Sequence, residues 1–260
     1  METITPKSST KHSWSTKFVV NARRFILGSR SPQRLDLLSQ IIPRDRILVV
    51  LPNRDDEPSF DRITECSDIE AQQLTIVRRK RHNVIELVRD TGQQQPVTAD
   101  LVICADTVIV ATDGSGLPCV LGKPPASDWQ NTTRSWFRKY LSGRTHTAMT
   151  SVSIGPTSPV QSLGLREFTV RTRVTFSQVS DALLEWYLRT GEPKNKAGAY
   201  GIQGSGSLFV ERVEGSISNV IGLPLREVWQ ALVALGAKEI FGMNEVGIDK
   251  RSDSGRGRGS

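Results

Sequence analysis

The chain is 260 residues long, carries a formal net charge of +7 and contains three cysteines, Cys66, Cys104 and Cys119. This length accommodates one large domain or two small ones with a sizeable core. The cysteines have no short pairing or zinc-binding spacing, which indicates a reducing compartment and argues against a disulfide framework. No apolar run approaches the roughly 20 residues of a membrane span. We therefore expect a cytoplasmic globular protein without a membrane partner.

Much of the positive charge lies at the two ends of the chain. Residues 1–23 carry a net charge of +3 and residues 244–260 a net charge of +1, which leaves +3 for the core. We expect a flexible basic extension at 1–23, a folded domain at 24–242 and a disordered tail at 243–260. The modest excess in the core suits a small polyanionic substrate as readily as a nucleic-acid groove. A nucleic-acid partner is therefore not expected, although the Gly-Arg pairs of the tail leave contact with RNA open.

The first half of the domain alternates strand and helix patterns. Residues 24–27 predict a short strand, and Ser31 and Pro32 then supply the cap and the first position of a helix. The apolar run at 47–51 predicts a buried strand, and residues 101–110 predict a strand buried on both faces. Between them a long helix is expected over residues 64–88. Its candidate inward positions are Ile69, Leu74, Ile76, Val77 and Ile85.

The second half continues the alternation. Ser127 is expected to cap a helix that ends near Gly143, and strands are expected at about residues 147–154 and 168–176. A helix from Ser180 to Gly191 follows, and Pro224 opens the last one. With no internal repeat and no linker, this order predicts an α/β fold: a single domain with a mixed, elongated central sheet flanked by helices.

One carboxylate stands inside an otherwise apolar strand pattern. Asp106 lies in the run LVICADTVIV, where a charged group costs several kcal/mol unless it is paired, hydrogen-bonded or bound to a metal. A protonated or helix-capping Asp at a strand end is the alternative. A functional role is favoured because perturbed acids cluster at active sites. The adjacent Thr107 is placed to orient this carboxylate or to contact a ligand.

A second acidic group follows the strand predicted at 47–51. Asp55, Asp56 and Glu57 stand just past its end, which is where α/β proteins place ligand contacts. Together with Asp106, a strand-end carboxylate here would supply oxygen ligands of the kind that Mg²⁺ and Mn²⁺ prefer. A solvated acidic turn is the alternative.

Basic residues complement these acids. The segment from Ser29 to Arg34 surrounds a predicted strand-to-helix turn, whose free N–H groups and helix dipole attract phosphate. Lys123 lies in the turn LGKP, and Lys80 lies in the run RRKR, which by itself is typical of a solvated helix face. Neither a GxxxxGK[ST] loop nor a GxGxxG fingerprint is present. The set therefore predicts a phosphate-handling site of another kind.

Residues 191–225 read GEPKNKAGAYGIQGSGSLFVERVEGSISNVIGLPL and are unusually rich in glycine. An ordinary loop needs one or two glycines at positive φ. This density predicts that backbone N–H groups come close to a partner, and the usual partner is an anion. Lys194 and Lys196, near the start of the run, strengthen that expectation.

Four separated segments resemble the Maf family of nucleoside triphosphate pyrophosphatases. They are ILGSRSPQRLDLL at 26–38, CADTVIV at 104–110, LGKP at 121–124 and the glycine-rich run, in the family order and spread over most of residues 24–236. The resemblance implies a Maf/ITPase-like α/β domain with a deep substrate cleft, often a homodimer. It also implies cleavage of a nucleoside triphosphate substrate between its α and β phosphates, giving the monophosphate and pyrophosphate with Mg²⁺ or Mn²⁺ as cofactor.

The resemblance also assigns roles to residues. Asp106 matches the general base that activates water and also a metal ligand. Glu57 matches the acidic metal ligand, and the NRDDEP spacing leaves Asp56 open as the alternative. The residues that match the phosphate site are Ser29, Arg34, Lys80 and Lys123.

Three further positions bear on the nucleobase. Gln203 and Thr107 resemble the branch that acts on dTTP, UTP and modified pyrimidine nucleotides, and a glutamine amide offers a donor and an acceptor together to a uracil or thymine edge. Gln33 departs from the arginine common in that branch and leaves Arg34 to meet phosphate. Two alternatives stay open: the same reaction on methylated GTP or other non-standard nucleotides, and a non-catalytic nucleotide- or nucleic-acid-binding protein linked to cell division.

Overall fold

The computed structural model describes residues 24–53, 60, 63–90, 101–157 and 164–241. Its strands are β1 (Phe25–Gly28), β2 (Ile47–Val50), β3 (Leu101–Thr112), β4 (Pro118–Leu121), β5 (Thr145–Pro156), β6 (Arg166–Phe176) and β7 (Val210–Glu214). Its α-helices are α1 (Pro32–Leu38), α2 (Cys66–Asp90), α3 (Trp129–Trp136), α4 (Asp181–Thr190), α5 (Ile217–Ile221) and α6 (Leu225–Ala234). The tails expected at 1–23 and 243–260 lie outside the described residues.

All seven strands belong to one mixed sheet. Their order is β2-β1-β3-β5-β6-β7, with β4 also paired to β3. β1 is parallel to both β2 and β3, and the remaining pairings of the described strands are antiparallel. β3 and β5 are each 12 residues long and give the sheet its elongated form. The predicted mixed α/β architecture is confirmed.

Helices cover both faces of the sheet because alternate strand residues point to opposite sides. On one face, Phe25 and Ile103 pack with residues of α1 and α6 in a buried cluster. On the other, Ile26 and Val102 pack against Val84 of α2. The parallel strand β1 is therefore apolar at every inward and outward position, as strands buried on both faces are.

One edge of β3 changes its partner along its length. β5 pairs with β3 continuously from Leu101 to Val110, so β1 and β4 share the opposite edge. There β1 pairs with β3 as far as Cys104, and β4 pairs with it from Ile109 onwards. Residues 105–108 of β3 are left between the two short strands, and we call this opening the β1–β4 gap.

Asp106 lies within β3, in the β1–β4 gap, as the strand predicted over residues 101–110 places it; the alternative of an Asp at a strand end is wrong. β3 continues to Thr112 because β4 and β5 supply backbone partners to its second half. The carboxyl end that matters is that of β1, whose last residue Gly28 pairs with Cys104. Asp106 is two residues past that pair, so the ligand-binding position of an open α/β sheet is retained.

The helices agree with the predicted pattern except in detail. α2 buries Ile69, Ile76, Val77 and Ile85, whereas Leu74 is only half-buried and Gln73 takes the inward position. Asp128, not Ser127, precedes α3, which ends at Trp136 and continues as a π-helical turn to Leu141. No helix in the described ranges is both long and apolar enough to cross a membrane.

α4 begins and ends as the sequence predicts. The Ser180 hydroxyl accepts a hydrogen bond from the Leu183 amide, and Gly191 terminates the helix at φ 71°. A left-handed residue at this position is the usual helix stop and favours glycine.

A buried histidine lies in the aromatic core beneath α4. The His146 ring stands edge-on to Phe176 with centroids 4.8 Å apart, and its Nε2 is 2.9 Å from the Tyr200 hydroxyl. Burial lowers the pKa of His146 to about 3. This histidine is therefore a neutral core residue, and its chemistry concerns stability.

The depressed pKa of His146 predicts acid sensitivity of the fold. A histidine in the unfolded chain has a pKa of about 6.5. Below that pH the unfolded state therefore binds a proton at His146, whereas the native state does not. We expect full stability above pH 6.5 and a loss of about 1.4 kcal/mol of unfolding free energy per pH unit as the pH falls toward 5. Urea unfolding of wild type and His146→Gln at pH 7.0, 6.0 and 5.5 measures this slope.

The matched control for that measurement is His82→Gln, because His82 is exposed on α2. His146→Gln should flatten the pH dependence, whatever its absolute stability, and His82→Gln should leave it as in wild type. An unchanged slope in His146→Gln would contradict the assignment.

Candidate active site

A carboxylate and an ammonium group meet at the β1–β4 gap. Lys80, on the side of α2 that faces the sheet, places its Nζ 2.6 Å from Oδ1 of Asp106. The side chains are 19% and 15% exposed respectively, so the pair is largely shielded but still open to solvent. Because a carboxylate and an ammonium group offset each other's charge, Lys80 compensates the cost of placing Asp106 in an apolar strand. The two sequence-predicted residues are thus brought together.

Gln73 fixes the position of α2 above the gap. Its side chain is completely buried, and Nε2 donates to the carbonyl of Met149 at 3.2 Å and to that of Asp106 at 3.4 Å. These bonds tie α2 to both β3 and β5, about two helical turns before Lys80. Sequence reasoning missed Gln73, although it interrupts an apolar stripe formed by Ile69, Ile76 and Val77, and that interruption is a usable signal.

Arg34 spans the gap from the other side. From the first helix after β1, its Nε donates to the Gly222 carbonyl at 2.8 Å, its Nη2 to Thr107 Oγ1 at 3.0 Å and its Nη1 to Ser29 Oγ at 3.4 Å. A guanidinium can satisfy three directions at once because its donors form a rigid planar fork. Arg34, Thr107 and Ser29 therefore form one connected set, as expected for residues of a common site.

Thr107 binds Arg34 and is itself positioned by a residue of β5. Its hydroxyl lies 2.9 Å from that of Thr150, the residue opposite it in β5. Thr150 also donates to the Asn219 carbonyl at 3.2 Å. Thr150 and Asn219 were not singled out from the sequence. Only the strand register places Thr150 there, and nothing in the local sequence signals it.

Asn219 anchors the end of the glycine-rich run. It is completely buried, and its Nδ2 donates to the Ala148 carbonyl at 3.1 Å and to Thr172 Oγ1 at 3.0 Å. These bonds hold α5 against β5 and β6. The Gly222 carbonyl that Arg34 binds is therefore presented by a rigidly attached segment.

Ser29 and Gln33 flank the turn after β1. Ser29 is buried, and its hydroxyl accepts from the Ser31 amide at 3.1 Å as well as from Arg34. The Ser31 hydroxyl donates to Gln33 Oε1 at 3.1 Å and makes no capping bond to the helix, so Ser31 holds the cap position without the expected side-chain bond. Gln33 is half-buried beside the site.

Lys123 borders the gap from the β4 side. The chain leaves β4 at Leu121, which pairs with Ile109, and Lys123 follows two residues later. The glycine-rich run joins this turn, since the Gly198 amide donates to the Gly122 carbonyl at 2.9 Å. Gly198 has φ 66°, and a Cβ there would lie 2.6 Å from Ile109 Cγ1, so only glycine fits. Gln203 is exposed in the same run.

The predicted acidic metal ligands, Glu57 and its alternative Asp56, lie outside the described residues together with Asp55. Among the residues that are described, no three or more His, Cys, Asp or Glu side chains gather as a metal-binding group. Within the described ranges, Asp106 brings a carboxylate to the gap. One carboxylate fits a Mg²⁺ or Mn²⁺ ion whose other ligands are substrate phosphates and water, because these cations are commonly held in that way.

Cys104 lies in the floor of the site but is not a nucleophile. It is completely buried, and burial raises the pKa of its thiol to about 12 in spite of the nearby Lys80, Arg81 and Arg34. A thiol acts as a nucleophile only as thiolate. The charged chemistry of the gap is therefore carried by oxygen and nitrogen groups.

Comparison with known proteins identifies relatives that match most of this chain. The model of the Maf-like protein family matches residues 24–235. A dTTP/UTP pyrophosphatase of Anaeromyxobacter dehalogenans is 38% identical over 212 residues, covering 79% of this chain and 91% of that protein. A dTTP/UTP pyrophosphatase of Thermococcus onnurineus is 37% identical over 207 residues, covering 79% and 94%.

A third relative, a dTTP/UTP pyrophosphatase of Moorella thermoacetica, is 35% identical over 216 residues, covering 82% of this chain and 95% of that protein. A crystal structure of a nucleoside-triphosphatase / dITP/XTP pyrophosphatase from Mycobacterium abscessus aligns with a TM-score of 0.37 at 13% identity, covering 86% and 100%, which is too distant to bear on the fold. The family match covers the sheet, the β1–β4 gap and the glycine-rich run alike, and this chain belongs to the Maf family.

Proposed function

We propose that this chain is a nucleoside triphosphate pyrophosphatase that hydrolyses dTTP, UTP and modified pyrimidine nucleotides to the monophosphate and pyrophosphate. The observation that carries the proposal is the Lys80–Asp106 pair in the β1–β4 gap, next to Thr107, which binds Arg34. A carboxylate paired with one cation, with a second cation held at the neighbouring residue, suits a reaction that needs a base for water and positive charge for phosphate. The named activity of the relatives supports the same substrate class.

In the proposed reaction, a water oxygen attacks the α-phosphorus and Asp106 takes one of its protons. The bond from the α-phosphorus to the α–β bridging oxygen breaks, and pyrophosphate leaves with that electron pair. Lys80 lies against the base, so the same ammonium reaches phosphate oxygens near the attacked centre. Its charge and that of the Arg34 guanidinium offset the negative charge that would otherwise repel the nucleophile.

A divalent cation completes the proposed site. Asp106 and Glu57, or Asp56 in place of Glu57, would hold Mg²⁺ or Mn²⁺ together with phosphate oxygens. When bound, such an ion neutralises phosphate charge and orients the leaving group.

Base preference rests in the proposal on Gln203, Thr107 and Gln33. The hydroxyl of Thr107 is engaged by Arg34 and Thr150, so Thr107 acts mainly by fixing the guanidinium. Gln203 is exposed and offers its amide to the pyrimidine edge. Gln33 brings an uncharged side chain next to Arg34, where a second cation would add affinity for phosphate of any nucleotide.

A nucleotide panel tests the proposal. The chain is incubated with UTP, dTTP, CTP, ITP and 7-methyl-GTP in Mg²⁺ or Mn²⁺, and both products are identified. We expect pyrophosphate and monophosphate in equal amounts, with the highest kcat/KM for UTP and dTTP. Orthophosphate release would contradict the bond assignment, and a preference for 7-methyl-GTP would select the purine alternative. Salt-sensitive binding of RNA or DNA without turnover would support the non-catalytic binding protein in place of the enzyme.

The homodimer and the cytoplasmic location expected above remain predictions. Sedimentation of the purified chain measures the first, and fractionation of cells measures the second.

A further inference from the structure

The glycine-rich run encloses a carboxylate of its own chain. Both oxygens of Glu192 accept backbone amides: Oε2 accepts from Ser205 at 2.6 Å and Oε1 from Gly206 at 3.2 Å. The Tyr187 hydroxyl adds a third bond to Oε1 at 3.4 Å. Two successive N–H groups thus hold one carboxylate in the way that backbone nests hold anions. At these two amides the anion expected from the glycine content is Glu192, not a substrate phosphate.

The fit between Glu192 and the turn is close. A Cβ on Gly204 would lie 2.5 Å from Oε2 of Glu192 and 2.7 Å from its Oε1. Real Cβ atoms do not approach oxygen so closely, so any side chain at 204 would displace either the carboxylate or the turn. The bound position of the Glu192 carboxylate therefore requires glycine at position 204.

The bound Glu192 carboxylate sets the backbone on both sides of Gln203. The Gly204 amide donates to the Gly201 carbonyl at 3.3 Å and closes a turn with Gln203 in it. The next two amides, of Ser205 and Gly206, are the ones bound to Glu192. Gln203 is thus an exposed side chain on a turn whose base is clamped by a carboxylate from the end of α4.

We propose that Glu192 is a positioning residue for nucleobase selection, acting through Gln203; this rests on the proposed function, in which Gln203 meets the pyrimidine edge. Uracil presents an acceptor at O4 and a donor at N3, whereas cytosine presents a donor and an acceptor in those places. A glutamine amide carries both kinds of group, so it distinguishes the two bases only when it is held in place. The Glu192 clamp holds the turn, and a released turn lets the amide serve either base.

Steady-state kinetics of wild type and three variants test the clamp. The measured quantity is the ratio of kcat/KM for UTP to that for CTP in wild type, Gln203→Ala, Glu192→Gln and the double variant. Glu192→Gln leaves one acceptor and turns an NH₂ group toward a backbone donor. We expect each single variant to lower the ratio by about tenfold, and the double variant to lower it no further because both act through one contact. A merely structural role would lower both kcat/KM values alike and leave the ratio unchanged.

Two further variants make the kinetic result specific. Gly204→Ala keeps Glu192, but the added Cβ collides with its carboxylate. This variant should therefore lower the ratio as Glu192→Gln does. It tests the clamp in place of Glu192→Gln if that variant does not fold. Glu185→Gln removes a carboxylate that lies within α4 and pairs with Arg134 at 2.6 Å, and it should leave the ratio as in wild type. A wild-type ratio in Glu192→Gln alongside a lowered ratio in Gln203→Ala overturns the proposal, as does an additive double variant.

Amide hydrogen exchange tests the clamp without any nucleotide. Glu192→Gln is expected to raise exchange at residues 201–206 relative to wild type, and Glu185→Gln is not. Unchanged exchange there overturns the clamp even if the enzyme turns over as proposed. Raised exchange in a chain with no pyrophosphatase activity overturns the proposed function and leaves the clamp standing, so the two failures are distinguishable.

Discussion

Replacing Asp106 by asparagine is expected to lower kcat for UTP hydrolysis by about 10²–10⁴-fold, which is the usual contribution of a positioned general base. Asparagine keeps the shape of the side chain but takes no proton from water. At saturating Mg²⁺ or Mn²⁺, Lys80 still brings its positive charge to the phosphates after the loss of its partner at 2.6 Å, so KM should not rise. Initial rates of pyrophosphate release over a range of UTP concentrations separate the two parameters.

The matched control for this variant is Asp181→Asn. Asp181 begins α4 and pairs with the exposed Arg138 at 3.0 Å. Its loss should leave kcat unchanged. Undiminished turnover in Asp106→Asn, or a rise in KM at constant kcat, would contradict the assignment of Asp106 as the base.

Replacing Arg34 by lysine is expected to lower kcat/KM by about 10²-fold, although the charge is retained. The guanidinium reaches the Gly222 carbonyl, Thr107 and Ser29 in three directions. An ammonium is a compact charge on a flexible stem and cannot bridge β1, β3 and the segment after α5 at once. The loss should appear in both kcat and KM, since the phosphate is neither bound nor aligned as before.

Arg138→Lys is the control for the Arg34 variant. Arg138 lies in the π-helical turn, and its ion pair with Asp181 is exposed, where such pairs contribute little. Its kinetics should match wild type. If Arg34→Lys retained wild-type kcat/KM, charge alone would be sufficient at this position and the fork geometry would be irrelevant.

These expectations depend on a site that is assembled at a change of strand partner. β1 and β4 occupy the same edge of β3, and the four residues between them have backbone neighbours on one side only. Charged side chains can approach β3 there without crossing another strand. This opening explains why the ion pair between Lys80 and Asp106 is largely buried but still accessible to solvent.

The glycine-rich run shows how a correct signal can have a different meaning in the folded chain. Its composition indicates close approach of backbone to an anion, and that approach is present. The anion at Ser205 and Gly206 is Glu192, which stands only 13 and 14 positions earlier. Glu192 is part of the chain and is present whether or not a substrate is bound, so its carboxylate can hold the loop in place between turnovers.

Several features were determined by the sequence alone. Alternating apolar patterns predicted the order of strands and helices, since burial demands periodicity that a single segment displays by itself. The conflict between Asp106 and its apolar strand marked the site, because the cost of burying a carboxylate is local. Ser180 and Gly191 marked the ends of α4, because capping uses groups within one helical turn.

Tertiary structure alone decided which residues meet. Thr150 faces Thr107 through strand register, and Arg34 binds Gly222, which is 188 positions away. The short strands β1 and β4 leave one edge of β3 open at Asp106. Gln73 and Glu192 are polar residues whose partners are backbone groups of other segments, and a linear pattern contains no information about those distances. Local propensity and burial cost are properties of neighbouring residues, whereas the geometry of the site is a property of the closed fold.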